Sequence, residues 1–232
     1  MWLFSSPKNY SEMLKKIATS MFFISLFTIV LLSHSITGID SFLQSISFGW
    51  QYKYGGFKLY ISYFYFPLFF SVFENIFKLH DRISDLIGIR FRFDRDVIIS
   101  KYLSELKLSQ KINRVNHSNR DTIMHDIFYK YASSTNPKID RHLIDRALEI
   151  WSWYWILLDT IACIGILGIL SLSYYFSWST CFVLIVIITI CLAIMYTIKK
   201  YQCREYAIAE VNAILQLDNC RSTIRRYLNH AL

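Results

Sequence analysis

Two carboxylates, Glu74 and Asp159, are notable because each lies in a strongly apolar part of the chain. Glu74 directly follows the aromatic run 59–73, and Asp159 directly follows the apolar residues 155–158. A charge in a bilayer is costly and usually faces protein or water, so such residues mark candidate ion pathways. If several subunits assemble round an axis, these acids are expected to form a pore-lining ring. The alternatives are that they cap or brace helix ends, or that Asp159 reaches the headgroups or pairs with another helix.

A series of basic residues in segment 78–150 is the second candidate for function. Phe91 and Phe93 alternate with two of these residues, Arg90 and Arg92. Positive charge together with aromatic rings is typical of sites that bind an anionic ligand such as a nucleotide. We predict such a site at Arg90, Arg92, Arg95, Lys107, Lys111 and Arg114. The segment carries fourteen basic and ten acidic residues, so an orientation signal or contact with anionic lipid explains the pattern nearly as well.

Metal and catalytic chemistry have weaker support in the sequence. His80 and Asp81, followed by Asp85, resemble half of a metal or acid–base site. A metal would need further ligands from histidines without characteristic spacing, namely His117, His125 and His142. No nucleophile-elbow, zincin or Walker sequence occurs, and the five cysteines have neither metal-ligand spacing nor the density of a disulfide scaffold. We therefore expect no catalytic residue, no metal site and no cofactor.

Composition places the chain among membrane proteins, because 54% of the 232 residues are hydrophobic and 18% are charged. About 20 consecutive apolar residues cross a bilayer as a helix. Pro67 should kink the second of the predicted crossings, since it lacks a backbone N–H. We predict four spans, at residues 17–39, 59–73 with extension to 57–77, 155–175 and 178–198.

The basic residues orient these spans, because 23 of the 25 fall in three segments that share one side of a four-span protein. An excess of Lys and Arg marks the cytoplasmic side. We therefore predict a bacterial inner-membrane protein with both termini in the cytoplasm. Its predicted parts are a cytoplasmic segment 1–16, a hairpin of spans 17–77, a cytoplasmic domain 78–150, a second hairpin 151–198 and a cytoplasmic helix 199–232.

The segments outside the spans have helical periodicity, so the predicted fold is an all-α membrane protein with a helical insert and an amphipathic C-terminal helix. Span two should continue as one stalk through residues 78–87 and stop at Gly88. A helix at 94–108, with Asp94 capping its first turn, should precede a linker at 109–119. Further helices are expected at 121–131, at 139–153 running into span three, and in the tail 201–232. Residues 89–93 alternate with period two and form a strand or a connector.

This organisation, four spans with a basic helical insert between two hairpins, resembles small membrane effectors of bacterial anti-phage systems. The Hailong-type channel and the Kiwa membrane subunit are the two families in question. The resemblance implies a homo-oligomer whose opening depolarises the cell when a cytoplasmic signal changes. It also implies a nucleotide or oligonucleotide ligand and a co-encoded cytoplasmic partner protein.

Three functions are compatible with these patterns. The first is an oligomeric channel or pore-forming effector, gated by an anionic signal at its cytoplasmic helices. The second is a membrane anchor or sensor that recruits a soluble partner and conducts nothing. A membrane-embedded enzyme is third, because no chemistry-bearing residues converge in a motif.

Overall fold

The computed structural model describes residues 6–47, 51–54 and 57–232. They form two compact units. The apolar unit contains residues 14–80 and 152–197, and the charged unit contains residues 6–13, 81–151 and 198–232.

Most of the described chain is helical. The elements of the first half are α1 (Tyr10–Ser35), α2 (Thr37–Ser45), β1 (Gln51–Tyr54), β2 (Phe57–Tyr60), a 3₁₀ turn (Ile61–Phe64), α3 (Tyr65–Phe77), α4 (Leu79–Ile87), α5 (Ile89–Phe93), a π-helical segment (Asp94–Ile99) and α6 (Ser100–Glu105). They are followed by a 3₁₀ turn (Ser109–Arg114), α7 (His117–Ile123), a π-helical segment (Met124–Tyr129), α8 (Arg141–Tyr174), α9 (Trp178–Thr197), a π-helical segment (Ile198–Cys203), α10 (Arg204–Gln216) and α11 (Cys220–Ala231).

Three helices are long and apolar enough to cross a membrane: Tyr10–His34, Arg141–Tyr174 and Trp178–Gln216. The predicted second span corresponds to a shorter apolar helix, Ile61–Phe77. The predicted helix at 139–153 does run without interruption into span three, as part of α8. The structure therefore supports a membrane protein, while the count of four spans stays a prediction.

Two expectations for the apolar unit were wrong, and one of its features was not predicted. Pro67 lies in the first turn of α3 instead of mid-helix, where its missing N–H needs no intrahelical acceptor. The stalk is not continuous with span two, because Lys78 adopts a left-handed conformation (φ 50°) between α3 and α4. A short antiparallel hairpin, β1 with β2, adds two strands that the helical periodicity did not predict.

The charged unit has an apolar core that α5 to α7 share with the tail helices α10 and α11. Ile98, Tyr102 and Leu103 point into it, as their helical spacing predicts. Residues 89–93 form helix α5, neither a strand nor a connector. Asp94 does not cap a helix, because α5 runs directly into the π-helical segment that Asp94 begins. The tail is two helices instead of one.

Candidate functional site

The first half of the candidate site depends on Lys78, which adopts a left-handed backbone conformation. Lys78 ends α3 by donating its N–H to the Glu74 carbonyl at 2.9 Å, and α4 starts immediately afterwards. This sharp turn brings His80 back to Glu74. The Glu74 Oε2 atom accepts the backbone N–H of His80 at 3.1 Å, while Oε1 is paired with the imidazole Nδ1. Glu74 thus caps the first turn of α4, as one of the alternatives for this residue holds.

Asp159 completes the site from the neighbouring helix α8. One ligand atom from each of Glu74, His80 and Asp159 lies within 4.8 Å of the other two. All three residues are 0% exposed. Trp155, one helical turn before Asp159, packs on the His80 ring with 5.3 Å between the ring centroids. We call these three residues the carboxylate–imidazole cluster.

The cluster joins groups that can exchange a proton or coordinate a cation in surroundings from which water is excluded. Glu74 and Asp159 were both predicted to be functional, and here they meet inside a single chain. Their predicted arrangement as a ring round an oligomer axis stays a prediction. His80 was considered with Asp81 and Asp85, but Asp81 instead lies against Arg90 at 3.2 Å and accepts the Tyr10 hydroxyl at 2.8 Å.

The other histidines that were considered as metal ligands have different surroundings. The His117 ring stacks on Phe91 with 3.8 Å between centroids. His125 is exposed and lies 2.8 Å from the carboxylate of Asp126.

Further polar groups are buried along the apolar unit. Ser20 and Ser25 of α1 are both 0% exposed, and Ser25 lies beside Cys163, one turn after Asp159 on α8. Near the other end of α1, Ser33 lies beside Tyr63. The Tyr63 hydroxyl donates to Asp40 at 3.3 Å. We use the name polar line for the cluster together with these groups, namely buried Ser20, Ser25, Cys163, Ser33 and Tyr63 and half-buried Asp40.

The six residues predicted to bind an anionic ligand have different partners. Arg90 is held by Asp81, Arg92 donates to the Ile87 carbonyl at 3.2 Å, and Arg95 pairs with Asp96 at 2.7 Å. Lys111 and Arg114 donate to the carbonyls of Asn229 and Leu232 in the tail. Lys107 is exposed and ends its helix in the left-handed region. Lys111 and Arg114 thus hold the tail, whereas Arg90, Arg92 and Arg95 belong to one helical run.

Arg90 also lines two cavities of the charged unit, of about 500 and 360 Å³. Arg120 and Asp121 line both cavities as well. Arg120 forms ion pairs with Asp94 and Asp121. Burial raises the pKa of Asp94, although the positive charges of Arg120 and Arg90 oppose that rise. The cavity walls therefore carry both signs of charge.

Sequence reasoning did not identify Glu210, which lies on α10 and is 6% exposed. Burial raises its pKa to about 8. The signal available in the sequence was its position in the apolar stripe, next to Val211 and three residues after Ala207.

No curated protein and no solved structure matches the chain. The model of one family, the YmfE protein family, matches residues 9–230. Since that match covers almost all of the sequence, the chain belongs to the YmfE protein family.

Proposed function

We propose that this protein is a membrane channel or pore-forming effector whose ion pathway includes the polar line of the apolar unit. The observation that carries the proposal is the carboxylate–imidazole cluster, three ionisable residues without exposure in a unit built from apolar helices. Moving one ion out of water costs several kcal/mol even after the protein relaxes. Ionisable residues that are found inside a membrane despite this cost commonly belong to an ion or proton pathway.

The second candidate, a non-conducting anchor or sensor, needs only helices with an apolar surface. The apolar unit supplies that surface. In the candidate span Trp178–Gln216, only 11% of the most apolar window is buried. Phe182, Ile185 and Ile190 are each more than half exposed on α9. Lipid or another subunit can cover this face. The buried cluster has no evident use in an anchor, so it favours the channel.

The finer features of the proposal come from the sequence. We place four spans in a bacterial inner membrane with both termini in the cytoplasm, and we propose a homo-oligomer. Native mass spectrometry in mild detergent should then give a multiple of the 27.5 kDa chain. The resemblance to anti-phage effectors supplies the proposed setting, in which opening depolarises the cell and a co-encoded protein provides the signal.

Ion flux into liposomes tests conduction. Purified wild-type protein should dissipate a cation gradient, and Asp159→Asn should slow that flux at least tenfold by removing one charge from the polar line. Ser173→Ala is the matched control, because Ser173 lies on the same helix and is exposed. Wild-type protein that inserts into the liposomes but leaves the gradient intact would favour the anchor.

Gating by an anionic ligand is tested at Arg92 and Arg95, whose partners are local. Arg90 is left unchanged because its pairing with Asp81 links α4 to the first turn of α5. The double variant Arg92→Glu, Arg95→Glu should weaken binding of a short DNA oligonucleotide and reduce the salt dependence of that binding. It should also change the effect of the oligonucleotide on flux, since a ligand acts through its different affinities for the open and closed states.

The control for this variant is Arg225→Glu, Arg226→Glu, which reverses two exposed charges on α11. If both double variants bind the oligonucleotide as the wild type does, the basic residues only orient the protein.

A further inference from the structure

The residue types in the carboxylate–imidazole cluster are those of a transition-metal site. Glu74 and Asp159 offer carboxylate oxygens and His80 offers an imidazole nitrogen. Zn²⁺ binds such a mixed set with metal–ligand distances of about 2.0–2.2 Å. Mg²⁺ and Ca²⁺ instead prefer six or more oxygen ligands. The donor set therefore favours Zn²⁺ or a similar divalent transition metal over the alkaline-earth ions.

The geometry of the cluster suits one cation. The three ligand atoms already lie within 4.8 Å of one another, so each needs to move only about 1 Å to reach a shared centre at zinc-binding distance. Small changes in the side-chain torsion angles of Glu74 and Asp159 supply a movement of this size, while Glu74 Oε2 keeps its hydrogen bond from the His80 backbone N–H. The cation would take the place of the proton between Glu74 and His80, and that proton would leave to solvent.

The surrounding structure holds the ligands in place. Glu74 is fixed by the backbone N–H of His80, and the His80 ring is fixed by its contact with Trp155. Such contacts around the ligands orient a metal site and increase its affinity. The complete burial of all three residues gives a second reason for a cation. A divalent cation among them would be bound directly by both carboxylates and would offset their negative charge.

From these observations we propose that Glu74, His80 and Asp159 bind one divalent transition-metal ion, with Zn²⁺ the best fit. The ion ties the end of α3 and the first turn of α4 to α8. Three protein ligands leave one position of a tetrahedral zinc ion for water or another small ligand. The site does not depend on conduction, because metal content can be measured on protein that shows no flux.

The test uses the full-length protein in detergent, stripped of metal with a chelator and then titrated with ZnCl₂ in the presence of excess Mg²⁺. One Zn²⁺ per chain should remain bound after desalting. Glu74→Gln and Asp159→Asn should each weaken Zn²⁺ binding at least tenfold. His125→Ala is the matched control, because it removes an exposed histidine beside a carboxylate in the charged unit. It should leave the affinity unchanged.

A second variant keeps the test decisive if neutralising a carboxylate disturbs folding. His80→Cys replaces one zinc ligand by another, so it should retain the metal. With Co²⁺ in place of Zn²⁺, this variant should show a thiolate-to-cobalt absorption band that the wild type lacks. Wild-type protein that retains no stoichiometric Zn²⁺ would overturn the proposal. So would a His80→Cys protein that binds Co²⁺ without the new band, because the metal would then lie elsewhere.

Discussion

Burial shifts the pKa of single residues in the charged unit, and Glu210 is one whose shift falls in an accessible pH range. Its carboxyl is enclosed by the core that α10 shares with α6 and the other helices of the unit. Burial penalises the charged form and raises the pKa to about 8, from an ordinary value of 4.5. Between these two values the folded chain holds a proton that the unfolded chain has released. The folded protein is therefore expected to lose stability as the pH rises through this range.

The variant Glu210→Gln tests this linkage. Wild-type protein should unfold at progressively lower temperature from pH 5 to pH 8, because each pH unit in this window costs up to about 1.4 kcal/mol. Glu210→Gln should remove most of that slope and unfold at a higher temperature than wild type at pH 8. Thermal unfolding in detergent measures both. Glu205→Gln, an exposed position on the same helix, should keep the wild-type slope; a slope unchanged in Glu210→Gln would refute the assignment.

Arg120 and Asp94 form a largely buried ion pair outside the predicted spans, with side chains 13% and 7% exposed. Replacing one member leaves an uncompensated group, which costs about 3 kcal/mol in comparable buried pairs. Arg120→Met should therefore lower the free energy of unfolding by about that amount. The double variant Asp94→Asn, Arg120→Met should recover part of the loss. For comparison, Arg95→Met breaks an exposed pair and should cost less than about 1 kcal/mol. Equal losses in Arg120→Met and Arg95→Met would contradict this account.

At the scale of elements, α8 and α9 are in contact where the Leu184 side chain packs against Gly168. A Cβ atom built at Gly168 would lie 2.7 Å from the Cδ1 atom of Leu184, whereas one built at Gly165 meets nothing within 4 Å. Small residues let apolar helices approach closely. Gly165→Ala should stabilise the protein by up to about 1 kcal/mol through helix propensity. Gly168→Ala should destabilise it, because buried Leu184 must move.

The unfolding temperatures of Gly165→Ala and Gly168→Ala in detergent test these two predicted effects on stability. Leu184→Ala should cost less in the Gly168→Ala background than in wild type, since it removes the clashing atom. Equal stabilisation by both alanines would show that Leu184 does not restrict the space at Gly168.

The sequence predicted elements with strong local signals and missed those set by contacts between distant residues. The apolar run and the aromatic cluster 174–178 marked the turn between α8 and α9, and the structure ends α8 at Tyr174 and begins α9 at Trp178. The residue at the break is Lys78, which is neither glycine nor proline, so the helical periodicity predicted one continuous helix there. For the same reason Glu74 and Asp159 were recognised singly, while their meeting with His80 depends on that break and on the packing of α8.

At the scale of the whole molecule, the predicted orientation can be tested at the turn between α8 and α9. The distribution of basic residues places this turn outside the cell and the tail in the cytoplasm. Ser179 is exposed and is the second residue of α9. A cysteine at this position should therefore react with a membrane-impermeant maleimide in intact cells. Cys181, which is only half-buried, should first be replaced by serine so that it does not contribute to the labelling.

Ser222→Cys in the same background is the matched control, because Ser222 is exposed on α11 and belongs to the predicted cytoplasmic tail. It should react only after the inner membrane is opened. Three apolar helices alone would place the turn and the tail differently from four, since every crossing moves the next segment of the chain to the opposite side of the membrane. Labelling of Ser222→Cys in intact cells, with protection of Ser179→Cys, would therefore invert the orientation. Labelling of both on one side would remove the crossing by α9.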